Sequence, residues 1–95
     1  MKTIPIEKQP NQRFTVRIND KNVQIELITR GLFMYANISV ENEPLFSGVI
    51  CLNGVNIIRY PNKKLNCKIF FKDTQGEEDP VWLGLGDRWV LIVEE

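Results

Sequence analysis

The chain has 95 residues, with 12 Lys plus Arg, 12 Asp plus Glu and no His, so its formal net charge is +0. Balanced charge argues against nucleic acid or anionic lipid as a partner, because both attract an excess of cations. Without His, the chain lacks the commonest general base and a common metal ligand. We therefore expect one soluble domain over residues 1–95, with no cofactor, no metal, no membrane span and no enzymatic activity.

The first third of the chain predicts an edge segment followed by a hairpin. Ile4-Pro5-Ile6 is expected to be extended, and Pro5 confines it to a sheet edge because proline lacks a backbone donor. Apolar and polar residues alternate over residues 14–18 and again over 23–27, which is the pattern of half-buried strands. The polar residues 19–22 between them are typical of a turn. We expect an antiparallel hairpin with a solvated outer face.

The next alternating segment, residues 32–40, has one aliphatic face, which begins with Leu32 and Met34, and one partly aromatic face. Phe33 and Tyr35 lie on the aromatic face, since residues two apart in a strand share a face. We expect a loop or a second sheet to cover both rings. The alternative is that they form a surface platform for a ligand or partner.

Residues 44–58 hold two apolar runs joined by Asn53-Gly54. This dipeptide is the strongest local signal for a two-residue hairpin turn. It predicts that residues 49–52 and 55–58 are paired strands near the centre of the fold. Gly48 interrupts the first run and indicates a bulge.

The two cysteines, Cys51 and Cys67, do not have the C-x-x-C spacing of many metal and redox sites. Cys51 lies in an apolar run, where a reduced thiol packs as a small hydrophobic residue. We expect a buried thiol there, and a disulfide between the two cysteines is the alternative.

Two charged segments flank a predicted strand over residues 67–71. Residues 59–64 are interpreted as a basic turn in which Lys63 and Lys64 protect a sheet edge. Residues 73–80 are interpreted as a solvated acidic loop. The alternative, a calcium loop, requires the regular ligand spacing of an EF-hand, which this segment lacks.

The C-terminal part of the chain predicts turns and a last strand. Gly84 and Gly86 are expected in turns rather than in a phosphate-binding loop, because no helix-forming segment follows them. Residues 89–93 are apolar enough for a strand buried on both faces. Taken together, the patterns predict an all-β fold, either a small antiparallel β-sandwich or a partly closed β-barrel of about 7–8 short strands.

Several short patterns occur in a distinctive order along nearly the whole chain. They are Ile4-Pro5-Ile6, Pro10-Asn11-Gln12, Phe14-x-Val16, Pro44-Leu45 with Gly48, Leu52-x-Gly54-x-Asn56, Asp79-Pro80 and Leu85-Gly86. In this order they resemble the phage baseplate plug proteins, a family named after a cyanophage baseplate component. The resemblance implies a structural β protein at the centre of a contractile-tail baseplate, in contact with hub and spike proteins. It also implies location in the virion tail after synthesis in the bacterial host cytoplasm, and it brings no catalytic residues.

Aromatic side chains are the candidate partner contacts, because aromatic residues anchor many protein interfaces. The candidates are Phe33, Tyr35, Trp82 and Trp89. Self-association into a ring is a further expectation, because an exposed edge strand can add to a neighbour's sheet. The candidate edges are residues 4–6 and Lys63-Lys64.

The alternative function is a small barrel of the oligonucleotide-binding type that holds single-stranded nucleic acid. In such a barrel, bases stack on aromatic rings and cations follow the phosphates. The stacking candidates are Phe33, Tyr35, Phe70 and Phe71, and the phosphate contacts are Arg17, Lys68 and Lys72. The even charge balance argues against it. An enzyme using Glu78 with Asp79, or Asp87 with Arg88, is disfavoured more strongly, because no activating base accompanies either pair.

Overall fold

The computed structural model describes residues 2–59 and 65–94, which contain seven strands and one short 3₁₀ helix. The strands are β1 Lys2–Ile4, β2 Asn11–Ile18, β3 Lys21–Arg30, β4 Phe33–Val40, β5 Glu43–Ile50, β6 Lys68–Asp73 and β7 Trp89–Glu94, and the 3₁₀ helix is Trp82–Gly84. They form a three-stranded sheet of order β1-β7-β6 and a four-stranded sheet of order β2-β3-β4-β5. All strand pairs are antiparallel. The all-β prediction is confirmed, and the described strands form two sheets that do not close into a barrel.

The four-stranded sheet is a meander whose strands are joined by short turns. Asn19-Asp20 connect β2 to β3, and Glu41-Asn42 connect β4 to β5, with φ between 50 and 67° at all four residues. Positive φ at both central residues is the requirement of a type I′ turn, whose twist matches that of the strands it joins. The predicted hairpin over residues 14–27 is thereby confirmed.

One face of each sheet enters a common hydrophobic core. Val23, Ile25 and Leu27 of β3 are fully buried, as the alternating pattern predicts. They belong to the same hydrophobic cluster as Phe71 and Leu91 of the three-stranded sheet. The two sheets therefore pack through their inner faces, and the opposite face of the meander lies outside this core.

The predicted hairpin at Asn53-Gly54 is wrong. β5 ends at Ile50, and residues 51–59 contain no strand. Gly54 has the positive φ of a turn residue, 72°, but Asn53 does not, so the type I′ geometry is incomplete. The chain instead runs beside β6, where the backbone N–H of Gly54 donates to the carbonyl of Phe71 at 2.8 Å.

Side-chain amides complete the contact between this segment and β6. Asn53 Oδ1 accepts the backbone N–H of Asp73 at 2.8 Å, and Asn56 Oδ1 accepts that of Ile69 at 3.0 Å. The backbone N–H of Ile57 donates to the carbonyl of Ile69 at 2.7 Å. These bonds satisfy backbone groups of β6 that an adjacent strand would otherwise pair.

The remaining elements agree in part with the sequence. β1 lies at a sheet edge, as predicted, but it spans Lys2–Ile4 and ends before Pro5, whereas the predicted segment was residues 4–6. β7 is the central strand of its sheet. β7 has one buried face and one half-buried face, rather than two buried faces. Gly48 has φ +64° beside a shift in the β4–β5 register, which confirms the bulge. Lys63 and Lys64 lie outside the described residues.

Neither of the two cysteines is in a disulfide: Cys51 is buried and Cys67 is half-buried. Burial raises the pKa of the Cys51 thiol to about 12, although the charge of Arg59 opposes the shift. The thiol of an unfolded chain has a pKa of about 8.5. Burial of Cys51 therefore stabilises the fold below that pH, and this contribution is lost as the pH rises towards 12.

The same burial predicts different reactivities for the two thiols. At pH 8, Cys51 should react with iodoacetamide on the order of 1,000-fold more slowly than Cys67, because its labelling requires unfolding. Mass spectrometry of peptides from timed samples measures both rates, and the urea-unfolded protein is the control in which the rates should converge. Equal rates in the folded protein would contradict the burial of Cys51.

Candidate partner-contact surface

The outer face of the meander carries apolar side chains near the β3–β4 turn. Ile28, Tyr35 and Ile50 are opposite one another across β3, β4 and β5, and residues opposite one another share a face. Phe33 lies two residues before Tyr35 on the same face, with 42% of its surface exposed, and Leu32 in the turn is 86% exposed. We call these five residues the turn patch.

A depression of about 460 Å³ opens on this face. Its lining residues are Ile28, Arg30, Tyr35, Asn37 and Gly48. The amide of Asn37 is held in place, because its Oδ1 accepts the backbone N–H of Gly48 at 2.7 Å and its Nδ2 donates to Glu26 Oε1 at 3.0 Å. The depression therefore combines the apolar side chain of Ile28 and the ring of Tyr35 with the polar groups of Arg30 and Asn37.

We expected a loop or a second sheet to cover Phe33 and Tyr35. Within the described residues, no such layer covers Phe33. The three-stranded sheet packs on the opposite face of β4, where Met34 and Ala36 are fully buried. Phe33 is therefore exposed and Tyr35 is half-buried. Leu32 was expected beside Met34 on the inner face, but it lies in the turn, and that prediction is also wrong.

The two tryptophans differ in exposure. Trp89 is 4% exposed and belongs to the core, whereas Trp82 in the 3₁₀ helix is half-buried. Leu83 beside it is 62% exposed. The structure thus places Phe33 and Tyr35 in the turn patch and Trp89 inside the fold. Trp82 lies with Leu83 in the 3₁₀ helix, and we call these two residues the second apolar position.

An ion pair with a buried carboxylate organises the loop between β6 and β7. Oδ1 of Asp73 accepts Arg88 Nε at 2.9 Å and Oδ2 accepts Arg88 Nη2 at 2.8 Å. The backbone N–H groups of Gln75 and Glu78 donate to the same carboxylate, each at 2.9 Å. Hydrogen bonding to Arg88 holds the pKa of Asp73 well below its usual range, and the pairing raises the pKa of Arg88. The carboxylate side chain has no exposed surface, so the prediction of a solvated acidic loop is wrong for Asp73.

Trp89 joins this ion pair to the core. The Arg88 guanidinium lies 4.6 Å from the centre of the Trp89 ring, a favourable cation–π geometry. Trp89 Nε1 donates to the carbonyl of Glu78 at 3.0 Å. A Cβ added at Gly84 would overlap ring atoms Cζ3 and Cε3 of Trp89, which explains why this position suits glycine.

The acidic groups considered for catalysis have structural partners. Asp87 accepts a hydrogen bond from Lys8 at 2.7 Å on the surface. Glu78 pairs with Arg88 at 3.1 Å, and Asp79 accepts a backbone N–H at 3.0 Å. Within residues 2–59 and 65–94, no group of three or more acidic or cysteine side chains has the arrangement to hold a metal ion. The described residues also include no helix long and apolar enough to cross a bilayer.

The residues proposed for nucleic-acid binding do not form one groove. Phe71 is fully buried and has no face to offer a base. Phe33 and Tyr35 belong to the four-stranded sheet, whereas Phe70 lies on β6 of the other sheet, in the strand that carries Lys68 and Lys72. A strand-binding barrel requires these groups side by side along one path, so the geometry argues against this alternative.

The fold is a small two-sheet sandwich whose acidic groups considered for catalysis are held in ion pairs and hydrogen bonds, and it exposes an apolar patch. These features are typical of a protein that binds other proteins in an assembly. Over residues 1–95, the chain matches the family described as cyanophage baseplate Pam3 plug gp18. The chain therefore belongs to this family of phage baseplate plug proteins, and the resemblance read from the sequence is confirmed. Membership indicates a structural protein of the virion tail and argues against an enzyme. No curated protein shows significant similarity to the chain.

Proposed function

We propose that the protein lies at the centre of the baseplate and contacts hub or spike proteins through the turn patch. The observation that supports this surface is the exposure of Leu32 and Phe33 beside the depression at Tyr35. Exposed apolar side chains grouped in this way mark interaction sites on soluble proteins. Held there by its neighbours, the sandwich helps to close the tail lumen before contraction.

The turn patch has the composition expected of an interface centre. Burying a large apolar side chain contributes about 1.5–3 kcal/mol, and Leu32 and Phe33 retain much of their surface to bury. Arg30 on the wall of the depression adds a cation that a partner's carboxylate or carbonyl can accept. A partner side chain seated in the depression would fix the orientation of the contact.

A single charge in the turn patch tests this surface. Leu32→Glu should fold normally, with a change in unfolding free energy within about 0.5 kcal/mol, because the side chain is in solvent. Its copy number in purified particles should fall at least about tenfold, since a carboxylate would be buried at the interface. Quantitative mass spectrometry of particles carrying each variant measures this.

Two further variants make the result specific. Gln9→Glu places the same charge at an exposed polar position in the loop before β2, and it should be incorporated normally. Leu83→Glu introduces the charge at the second apolar position. Normal incorporation of Leu32→Glu together with loss of Leu83→Glu would contradict the turn patch and assign the contact to the 3₁₀ helix.

A further inference from the structure

The edge strands of the two sheets are unequally protected against pairing with another chain. β1 has three residues and is followed by Pro5, and β5 carries Pro44 and the bulge at Gly48. Residues 53–57 run beside the outer edge of β6. Short length, proline, bulges, covering loops and charged side chains are the usual protections of edges. β2 has eight residues in unbroken register with β3, and of these protections it has only charged side chains.

The hydrogen-bond pattern shows which groups β2 presents outward. The carbonyl of Pro10 accepts the N–H of Thr29 at 3.0 Å, so Pro10 and Thr29 form a hydrogen-bonded pair. Along an antiparallel ladder, hydrogen-bonded residue pairs alternate with pairs that are not hydrogen-bonded. The even-numbered residues of β2 therefore bond to β3, and the odd-numbered residues direct their N–H and C=O groups to the open edge. Lys2 Nζ donates to the outward carbonyl of Arg17 at 2.8 Å, so residues 11–15 form the accessible part.

Two exposed side chains along this edge, those of Arg13 and Arg17, are basic and lie on the outer face of the sheet. Arg17 donates to Asn22 Oδ1 at 3.1 Å and Arg13 lies opposite Glu26, but within the described residues neither arginine forms an ion pair. A second copy of β2, paired antiparallel and centred on Thr15, would place Arg13 opposite Arg17. Like charges directly opposite each other destabilise a pair of strands. The edge is therefore better suited to an acidic strand than to a copy of itself.

We propose that β2 binds an extended acidic segment of a neighbouring baseplate protein by strand addition. Backbone hydrogen bonds at residues 11–15 supply the affinity, and carboxylates four residues apart on the partner face Arg13 and Arg17. This inference rests on the proposed place of the protein in the baseplate. It concerns a different surface from the turn patch, so the protein has two separate contacts.

Thr15→Pro tests strand addition directly. The N–H of Thr15 points to the open edge, so proline removes an outward donor and leaves the β2–β3 bonds in place. Thr15→Val keeps the N–H and is the matched control. A second variant, Arg13→Glu with Arg17→Glu, keeps the backbone and repels an acidic strand. All are produced in the phage background, with folding checked by circular dichroism.

Quantitative mass spectrometry of purified particles should find Thr15→Val at the wild-type copy number. Thr15→Pro and the double Glu variant should be reduced at least about tenfold. Wild-type incorporation of the folded Thr15→Pro protein would overturn strand addition, and if that variant does not fold, wild-type incorporation of the double Glu variant would do so. A wild-type homodimer in solution that Thr15→Pro abolishes would also overturn it, in favour of a second copy. Absence of the wild-type protein from particles would instead refute the proposed function itself.

Discussion

Trp89→Ala is expected to lower the free energy of unfolding by about 3–5 kcal/mol, the usual cost of removing a buried aromatic ring. Trp89 is 4% exposed and its indole N–H is bonded to Glu78. The substitution removes the ring on which Gly84 packs and over which the Arg88 guanidinium lies. The loss therefore reaches both the core and the loop between β6 and β7.

Thermal unfolding followed by circular dichroism should show a fall in Tm of more than about 10 °C for Trp89→Ala. Trp82→Ala is the matched control, because Trp82 is half-buried and its ring is only partly packed against the core. Its Tm should fall by clearly less. An unchanged Tm for Trp89→Ala would contradict its place in the core and would return Trp89 to the candidate partner contacts.

Asp73→Asn should destabilise the protein strongly at pH 7 although it preserves the shape of the side chain. Oδ2 of Asp73 accepts both Arg88 Nη2 and the N–H of Glu78. In one orientation, the NH₂ group of the asparagine replaces Oδ2 and faces these two donors. In the flipped orientation, the NH₂ group replaces Oδ1 and faces Arg88 Nε and the N–H of Gln75. Either orientation leaves buried donors unsatisfied and leaves Arg88 with only the exposed carboxylate of Glu78 as a charged partner.

The pH dependence of unfolding tests the same ion pair. Because the folded pKa of Asp73 is lowered, its ionisation stabilises the fold above the unfolded value of about 3.9, and this contribution is lost as the pH falls below that value. Chemical denaturation between pH 7 and pH 2 should show a steeper loss for the wild type than for Asp73→Asn. Lys8→Ala removes only the surface pair with Asp87 and should differ little from the wild type at any pH. Parallel curves for the wild type and Asp73→Asn would contradict the lowered pKa.

Local patterns predicted those parts of the fold in which local preference and tertiary packing agree. The β2–β3 hairpin has alternating apolar residues on both sides of Asn19-Asp20, and each of these signals favours the same register. Asn53-Gly54 satisfied the same turn rule, but no partner strand followed it. The amide side chains of Asn53 and Asn56 bind β6 directly, and a turn rule does not consider such bonds between distant segments.

The ion pair at Asp73 could have been predicted in part. Asp73 lies two and four residues after Phe71 and Ile69, both fully buried, and residues at this spacing share a face of a strand. The strand therefore directs the carboxylate inward, where it requires a partner. The partner, Arg88, is 15 residues away, and the sequence does not show which cation reaches it.

The candidate contact surface was predicted only as a choice between two possibilities. Alternation along residues 32–40 identified the aromatic face of β4 but not whether another layer would cover it. That depends on how the two sheets pack, and the described three-stranded sheet covers only the inner face of the meander. The exposure of Leu32 and Phe33 follows from this packing and not from their own segment.

The central claim is that the protein is a stoichiometric component of the tail baseplate. Quantitative mass spectrometry of purified phage particles from the source strain tests it by measuring the copy number of this chain relative to the tail-spike protein. We expect the chain in every preparation at a small, fixed ratio, which would also give its symmetry in the baseplate. Its absence from particles, with abundant protein in the infected cells, would contradict the structural function.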